Sequence, residues 1–166
     1  MPAHATAPAP AVKLATLAGM KSRAERIAML TAYDATLAAQ FDAAGIDVVL
    51  VGDSLGMVVQ GQATTLGVTL DNLVYHCQAV ARGLRRALLL ADLPFGSYPD
   101  PVTAYRSAAR LVGEGGAAMV KLERAGPVLD CIRYLAERDI PVCAHLGLTP
   151  QSVHRMGGYK VQARDA

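Results

Sequence analysis

The sequence predicts an α/β fold in which β-strands and α-helices alternate on a parallel sheet. Five short apolar runs without polar alternation are spaced along the chain, as expected for strands buried on both faces. Each run is followed by a helical pattern or by a long loop, which is typical of repeated βα units. An open doubly wound sheet and a (β/α) barrel share this pattern, but the 166 residues of the chain are fewer than the about 250 of a complete barrel.

The elements follow from apolar spacing and from residues that begin or end helices. Thr69 or Asp71 can cap one helix, and Asp100 with Pro101 opens another. Residues 149–166 have no clear periodicity and are predicted to form a long loop. The predicted strands are residues 27–31, 48–51, 87–91, 117–122 and 141–146. The predicted helices are residues 13–26, 37–44, 69–83, 100–113 and 128–135, the first of them short and amphipathic.

The composition narrows the class of protein. Hydrophobic residues make up 52% of the chain, enough for a packed core, yet no apolar run approaches the roughly 18 residues that a membrane span needs. The net charge of +2 comes with dispersed basic residues, which gives no surface for nucleic acid. The three cysteines lie far apart, are expected to be small buried residues, and indicate neither a disulfide framework nor a zinc site. Residues 1–12, rich in Ala and Pro, are predicted to be a disordered tail and not a signal peptide.

Polar side chains stand at the carboxyl ends of four predicted strands. They are Asp53 and Ser54, then Asp92, then Lys121 and Glu123, and finally His145. Parallel strands bring these ends to one edge of the sheet, so the side chains are expected to share one site. Carboxylates without a thiolate or an imidazole cluster favour Mg²⁺. A 2-oxo acid would chelate this ion through its carboxylate and keto oxygens, which makes the neighbouring carbon easier to deprotonate.

Structural explanations remain open for these residues. Asp53 and Asp92 can cap the segments that follow them, and His145 can be a hydrogen-bonded core histidine. Lys121 and Glu123 lie two apart on a strand and therefore point to the same side, where they can form an ordinary ion pair.

Two other motifs match known functional patterns, but the residues around them argue against those functions. Residues 113–118 match G-x-G-x-x-A but follow a helix and precede a strand, the reverse of a dinucleotide-binding turn. Residues 52–55 spell GDSL, but no histidine is preceded by the Asp-x-x that such hydrolases use. Ser54 is therefore better interpreted as a hydrogen-bond donor to a bound acid.

Several segments, taken in order along the chain, resemble one protein family. They are TAYD (31–34), VGDSLGMVVQG (51–61), LLLADLPF (88–95), MVKLE (119–123) and PVCAHLGLTPQSV through GGYKVQ (141–162). Together they resemble ketopantoate hydroxymethyltransferase, with family-like spacing from about residue 13 to residue 162. The resemblance implies a (β/α)₈ TIM barrel of the phosphoenolpyruvate mutase/isocitrate lyase superfamily. Residues 13–166 would be a partial barrel of about five βα units that lacks the C-terminal strands.

The resemblance also implies an activity and roles for the strand-end residues. The family transfers a hydroxymethyl group from 5,10-methylenetetrahydrofolate to 3-methyl-2-oxobutanoate, which gives 2-dehydropantoate in pantothenate biosynthesis. It implies a cytoplasmic homo-oligomer, in the family a decamer, with no membrane or nucleic-acid partner. By motif match, Mg²⁺ would be held by Asp53 and Asp92, with Glu123 as a direct or water-mediated ligand. The oxo acid would be bound by Asp53, Ser54, Asp92 and Lys121, with His145 as a supporting hydrogen-bond contact.

The resemblance places the catalytic base outside this sequence. In the family the base is a glutamate beyond the point that matches Ala166, so the chain is expected to contain no catalytic base and to be a fragment of a longer protein. A truncated product is the other explanation. Two alternative functions stay open: a Mg²⁺-dependent C–C lyase of the same superfamily acting on a 2-oxo acid, and a non-catalytic subunit that assembles with intact copies.

Overall fold

The centre of the fold is a parallel sheet of five strands, seen in a computed structural model that describes residues 10–162. The strands are β1 (Met29–Thr31), β2 (Val48–Val51), β3 (Leu88–Asp92), β4 (Met119–Glu123) and β5 (Val142–His145). They pair in the order β1-β2-β3-β4-β5, every pair parallel. A doubly wound sheet requires a reversal of strand order, which these five strands do not show. The sheet is therefore the arc of a (β/α) barrel, and the open-sheet alternative is wrong.

Helices separate the strands as the sequence predicts. Thr69 caps one of them by accepting a hydrogen bond from Asn72 N at 3.2 Å, and Asp100 caps another by accepting from Thr103 N at 2.9 Å. None of the helices described for residues 10–162 is long and apolar enough to cross a membrane. The helices are α1 (Leu14–Ser22), α2 (Ala35–Ala43), α3 (Leu55–Val58), α4 (Leu70–Gly83), α5 (Pro101–Gly113), α6 (Val128–Ala136) and α7 (Val153–Met156).

The core lies between the middle strands and the helices that cover them. All five residues of β3 are buried, and so are three of the four residues of β2. On α4 the side chains of Leu73, Cys77 and Val80 face this core, as their helical spacing predicts. The middle of the sheet is thus a rigid support for the residues at the ends of β2, β3 and β4.

The periphery differs from the prediction. Strand β1 is shorter than the predicted residues 27–31, and Met29 and Leu30 are 49% and 42% exposed. Its predicted burial is wrong because, among the strands described, β1 pairs with β2 alone. Helix α1 ends at Ser22 instead of residue 26 and has no buried residue, although Leu17 on its predicted apolar side is half-buried and packs against the cluster that contains Val12 and Val48. The last three strands begin one or two residues later than predicted.

The predictions for the two ends of the chain also need correction. Val12 was placed in the predicted tail, but it is buried and its amide donates to Arg86 O at 2.7 Å. Residues 1–9 of the predicted tail lie outside the described residues, as do residues 163–166. The predicted loop after residue 149 contains a 3₁₀ turn (Pro150–Ser152) followed by α7. Cys77 and Cys131 are buried as expected, whereas Cys143 is half-buried.

Candidate functional site

The predicted strand-end residues meet at one edge of the sheet. Asp92 ends β3, Glu123 ends β4 and His145 ends β5, while Asp53 is the second residue after the end of β2. The strand register aligns Asp92 with Lys121 and Glu123 with His145. Parallel pairing therefore brings together residues that lie dozens of positions apart in the sequence.

Lys121 and the carboxylates form a buried charged cluster. Lys121 Nζ lies 2.8 Å from Asp92 Oδ1 and 3.9 Å from Glu123 Oε1, so Asp92 is its closer partner. Asp92 Oδ2 accepts a hydrogen bond from the backbone N–H of Asp53 at 3.1 Å. Asp92 Oδ1 is buried and has no hydrogen bond of normal geometry within residues 10–162, although it faces the ammonium group. The cluster thus keeps a carboxylate oxygen that is not fully satisfied.

Gln151 is a member of this site that the sequence did not indicate. Its Nε2 donates to Asp53 Oδ2 at 2.8 Å and to Leu93 O at 2.9 Å. Its backbone N–H donates to Glu123 Oε2 at 3.0 Å, and the Tyr98 hydroxyl donates to its Oε1. The residue was missed because residues 149–166 show no periodicity that would place a side chain.

A second missed residue, Tyr33, orients Ser54. The Tyr33 hydroxyl and Ser54 Oγ are 2.8 Å apart, and either can be the donor. The backbone carbonyl of Tyr33 is 2.7 Å from His76 Nδ1, which fixes this tyrosine from a second direction. On the other side of the site, His145 Nδ1 lies 3.1 Å from Glu123 Oε1. His145 therefore contacts a carboxylate of the cluster, and its supporting contact with the oxo acid stays a prediction.

Burial shifts the protonation equilibria of the cluster. Burial and the nearby charge of Asp92 raise the pKa of Asp53 to about 6, although Gln151 and Lys121 oppose the shift. Burial likewise raises the pKa of Asp92, against the attraction of Lys121, and the pKa of Glu123. Burial alone would lower the pKa of Lys121, but the charge and hydrogen bond of Asp92, together with the charges of Glu123 and Asp53, outweigh it and the net shift is upward. The ammonium group therefore keeps its proton, while burial disfavours the charged forms of the three carboxylates.

The oxygen set fits a Mg²⁺ ion. Within the described residues no three His, Cys, Asp or Glu side chains converge into a complete ligand set. Both oxygens of Glu123 accept hydrogen bonds, whereas Asp92 Oδ1 has no normal hydrogen bond within residues 10–162 and Asp53 is held by Gln151 at Oδ2. Proteins commonly hold Mg²⁺ through one or two carboxylates and leave other positions to water and substrate. Asp53 and Asp92 are suited to that role.

Solved structures identify the class of fold. The chain is similar to 2,3-dimethylmalate lyase, a phosphoenolpyruvate mutase/isocitrate lyase superfamily member, with a TM-score of 0.62 and 19% identity over 78% of this chain and 51% of that one. It is also similar to phosphonopyruvate hydrolase in complex with oxalate and Mg²⁺, with a TM-score of 0.65 and 13% identity over 77% of this chain and 50% of that one. The chain therefore shares the fold of these proteins, an α/β fold consistent with part of a TIM barrel.

Sequence comparison gives the family. The model of the ketopantoate hydroxymethyltransferase family matches residues 11–166, and the chain belongs to that family. It is 61% identical to the 3-methyl-2-oxobutanoate hydroxymethyltransferase of Methylococcus capsulatus over 93% of this chain and 58% of that protein. It is 60% identical to the enzyme of the same name from Ralstonia nicotianae over 93% of this chain and 56% of that protein. The chain thus spans somewhat more than half the length of these relatives, and the family predicted from the sequence motifs is confirmed.

Proposed function

We propose that the complete protein transfers a hydroxymethyl group from 5,10-methylenetetrahydrofolate to 3-methyl-2-oxobutanoate, which gives 2-dehydropantoate. The present chain would supply the part of the site that binds Mg²⁺ and the oxo acid. One observation carries this proposal: Asp53, Asp92 and Lys121 converge at the carboxyl end of the sheet in a chain of this family. The relatives bear the name of this activity.

Asp53 and Asp92 are the residues that would hold Mg²⁺. When bound, the ion would supply a Lewis acid that stabilises negative charge developing on the keto oxygen of the oxo acid. The similar phosphonopyruvate hydrolase, crystallised with oxalate and Mg²⁺, supports this assignment, because oxalate offers two neighbouring oxygens as a 2-oxo acid does. Glu123 has both oxygens engaged by hydrogen bonds and would act as a more distant, supporting acid.

The remaining side chains would bind and orient the oxo acid. Lys121 Nζ, which retains its proton, offers a positive charge to the substrate carboxylate. Ser54 Oγ offers a hydrogen bond whose direction is limited by its contact with the Tyr33 hydroxyl. His145 contributes indirectly by holding Glu123 Oε1. No described residue is assigned as the base that removes the substrate proton, and the family resemblance places that base in a later strand.

The proposal includes the setting of the enzyme. We expect a cytoplasmic homo-oligomer whose partners are the small 2-oxo acid and the folate, without nucleic acid or membrane. Family membership supports this expectation. The molar mass of the complete protein, measured by light scattering, tests the oligomer, since a monomer would contradict it.

The binding role is tested by calorimetry on the 166-residue chain. We expect 3-methyl-2-oxobutanoate to bind with Mg²⁺ present and binding to disappear after chelation with EDTA. Lys121→Met removes the ammonium and is expected to weaken binding by about tenfold or more, since charge-assisted hydrogen bonds contribute about 1.5–3 kcal/mol. Lys160→Met, the same change at an exposed lysine, is the matched control. Binding that is independent of Mg²⁺, or unchanged in Lys121→Met, would contradict the proposal.

Proton exchange separates the proposed activity from its alternatives. With Mg²⁺ and the oxo acid in D₂O, the chain alone is expected to leave the methine proton next to the ketone in place for hours, as monitored by NMR. Rapid loss of the signal would show that the chain contains its own base. Release of C–C cleavage products by the complete protein without folate would instead identify a lyase, and co-purification with a longer copy would favour the non-catalytic subunit.

A further inference from the structure

We propose that Gln151 is a positioning residue that makes the site selective for Mg²⁺ over Ca²⁺, an inference that rests on the proposed metal-binding role of Asp53 and Asp92. Gln151 is 7% exposed and lies 98 positions from Asp53 in the sequence. A buried amide is costly unless its donors and acceptor are paired, so an amide in this place requires an explanation. Its hydrogen bonds supply one.

The side-chain amide of Gln151 is held in one orientation. Its Nε2 donates to two acceptors, Asp53 Oδ2 and Leu93 O, while its Oε1 accepts from the Tyr98 hydroxyl. A flipped amide would place its oxygen against two other acceptors, which is unfavourable. The amide therefore keeps Asp53 Oδ2 in a hydrogen bond, and Oδ1 is the oxygen that Gln151 does not engage.

The backbone of the same residue restrains a second carboxylate. The N–H of Gln151 donates to Glu123 Oε2 at 3.0 Å, and His145 Nδ1 lies 3.1 Å from Glu123 Oε1. Both oxygens of this carboxylate are thus engaged. One glutamine, through its side chain and its backbone, limits how many oxygens Asp53 and Glu123 can offer together.

The number of oxygens offered distinguishes the two cations. Ca²⁺ takes six to eight oxygen ligands and readily accepts both oxygens of one carboxylate, whereas Mg²⁺ requires a strict octahedron and usually keeps water. A site in which Asp53 presents one oxygen and Glu123 presents none favours Mg²⁺. Without the Gln151 amide, the Asp53 carboxylate can rotate and present both oxygens, which favours Ca²⁺.

The test measures the dissociation constants of Mg²⁺ and of Ca²⁺ for the 166-residue chain by calorimetry. In Gln151→Met, which keeps the length of the side chain, we expect Mg²⁺ binding to weaken by about tenfold, as for other partners that orient ligands. We expect the preference for Mg²⁺ over Ca²⁺ to fall by a similar factor. Tyr98→Phe removes the hydroxyl that holds the amide and should shift the preference in the same direction by a smaller factor. Gln78→Met is the matched control, because the amide of Gln78 donates to Glu114 O away from the site.

The outcomes separate this inference from the proposed function. Equal weakening of both cations in Gln151→Met would mean that Gln151 only supports the fold, and would overturn the inference. Mg²⁺ binding with an unchanged preference in Gln151→Met would overturn it as well, while the proposed metal site would stand. If Gln151→Met does not fold, an unchanged preference in Tyr98→Phe overturns it instead. An unaltered chain that binds no Mg²⁺ would overturn both the metal site and this inference.

Discussion

Each end of the sheet contains a buried aspartate paired with a basic side chain, but, within the described residues, in only one of these pairs does every carboxylate oxygen accept a hydrogen bond of normal geometry. At the amino end of β2, Asp47 accepts from Arg86 Nη2 at 2.8 Å and from Ala28 N at 3.0 Å. Arg86 Nη1 also donates to the carbonyl oxygens of the turn just before Asp47, at 3.0 and 2.9 Å. Every oxygen of this acid therefore has a donor, and the pair acts as a clamp between β2 and the start of β3.

At the carboxyl end, the pair of Asp92 and Lys121 is left incomplete. Asp92 Oδ1 faces the ammonium at 2.8 Å without a hydrogen bond of normal geometry in the described chain. Burial raises the pKa of Asp92 and, to about 6, that of Asp53. The comparison separates a buried charge whose hydrogen bonds are all made, which supports the fold, from one that lacks a normal hydrogen bond among the residues described, where we propose that ligands bind.

The largest expected effect concerns the satisfied pair. Arg86→Met leaves Asp47 buried without its cation, and we expect the free energy of unfolding to fall by about 3 kcal/mol, at the lower end for a broken buried pair. The lower end applies because the Arg86 side chain is 25% exposed. Urea denaturation measures the change. Arg133→Met, which breaks an exposed pair with Asp130, is the control and should cost less than about 1 kcal/mol. Equal effects in the two variants would remove the distinction between the pairs.

For the incomplete pair of Asp92 and Lys121, we expect a substitution to affect binding more than stability. Asp92→Asn removes a proposed metal ligand, and we expect Mg²⁺ affinity to fall by more than about 100-fold, beyond the effect of residues that only orient ligands. Stability should fall less than in Arg86→Met, because a buried charge that is poorly satisfied is also lost. Calorimetry gives the affinity and urea denaturation the stability. The control is Asp130→Asn at the surface, and an unchanged affinity in Asp92→Asn would refute the assignment.

A third effect concerns pH in the metal-free protein. The pKa of Asp53 is raised from 3.8 to about 6, so the folded chain binds an extra proton between these values. Its contribution to stability is therefore present below about pH 4 and is lost as pH rises through about 6. At pH 7.5 we expect Asp53→Asn to be more stable than the unaltered chain by about 2 to 3 kcal/mol. This difference should vanish at pH 4 in urea denaturation with EDTA, and a difference that grows toward low pH would show the wrong sign.

The smallest expected effect tests the neighbour of Ser54. Tyr33→Phe removes only the hydroxyl 2.8 Å from Ser54 Oγ, and we expect the affinity for 3-methyl-2-oxobutanoate to fall by about fivefold, equivalent to one hydrogen bond. Calorimetry with saturating Mg²⁺ measures it. Tyr75→Phe, at a tyrosine that is 67% exposed, is the control. A loss as large as that in Asp92→Asn would mean that Tyr33 supports the whole site.

The sequence predicted those parts of the site that lie on or directly after strands. Asp53, Asp92, Lys121 and Glu123 were found because parallel pairing fixes where every strand ends, whatever the details of packing. Strand β1 shows the limit of this reasoning. An apolar run indicates a strand, but its burial depends on what covers it, and Met29 is 49% exposed.

Gln151 and Tyr98 could not be predicted because their roles come from tertiary contacts. Gln151 follows the last strand in a segment without periodicity, and its amide reaches Asp53 across 98 positions. A glutamine is also neutral, so unlike a carboxylate or a histidine it does not indicate a metal or catalytic site in a sequence. The TPQ segment was part of the family resemblance, but a resemblance assigns no hydrogen bond.

The hydrogen bond between Gln151 and Asp53 has a consequence for how the protein is made. Ribosomes add roughly 5 to 20 residues per second, so the 98 residues between the two positions take about 5 to 20 s to synthesise. During that time β2 and β3 can pair and bring Asp53 beside Asp92, but the amide that holds the Asp53 carboxylate has not yet been made. If Asp53 and Asp92 hold the cation as proposed, we expect the two carboxylates to be synthesised well before the amide that would set their selectivity.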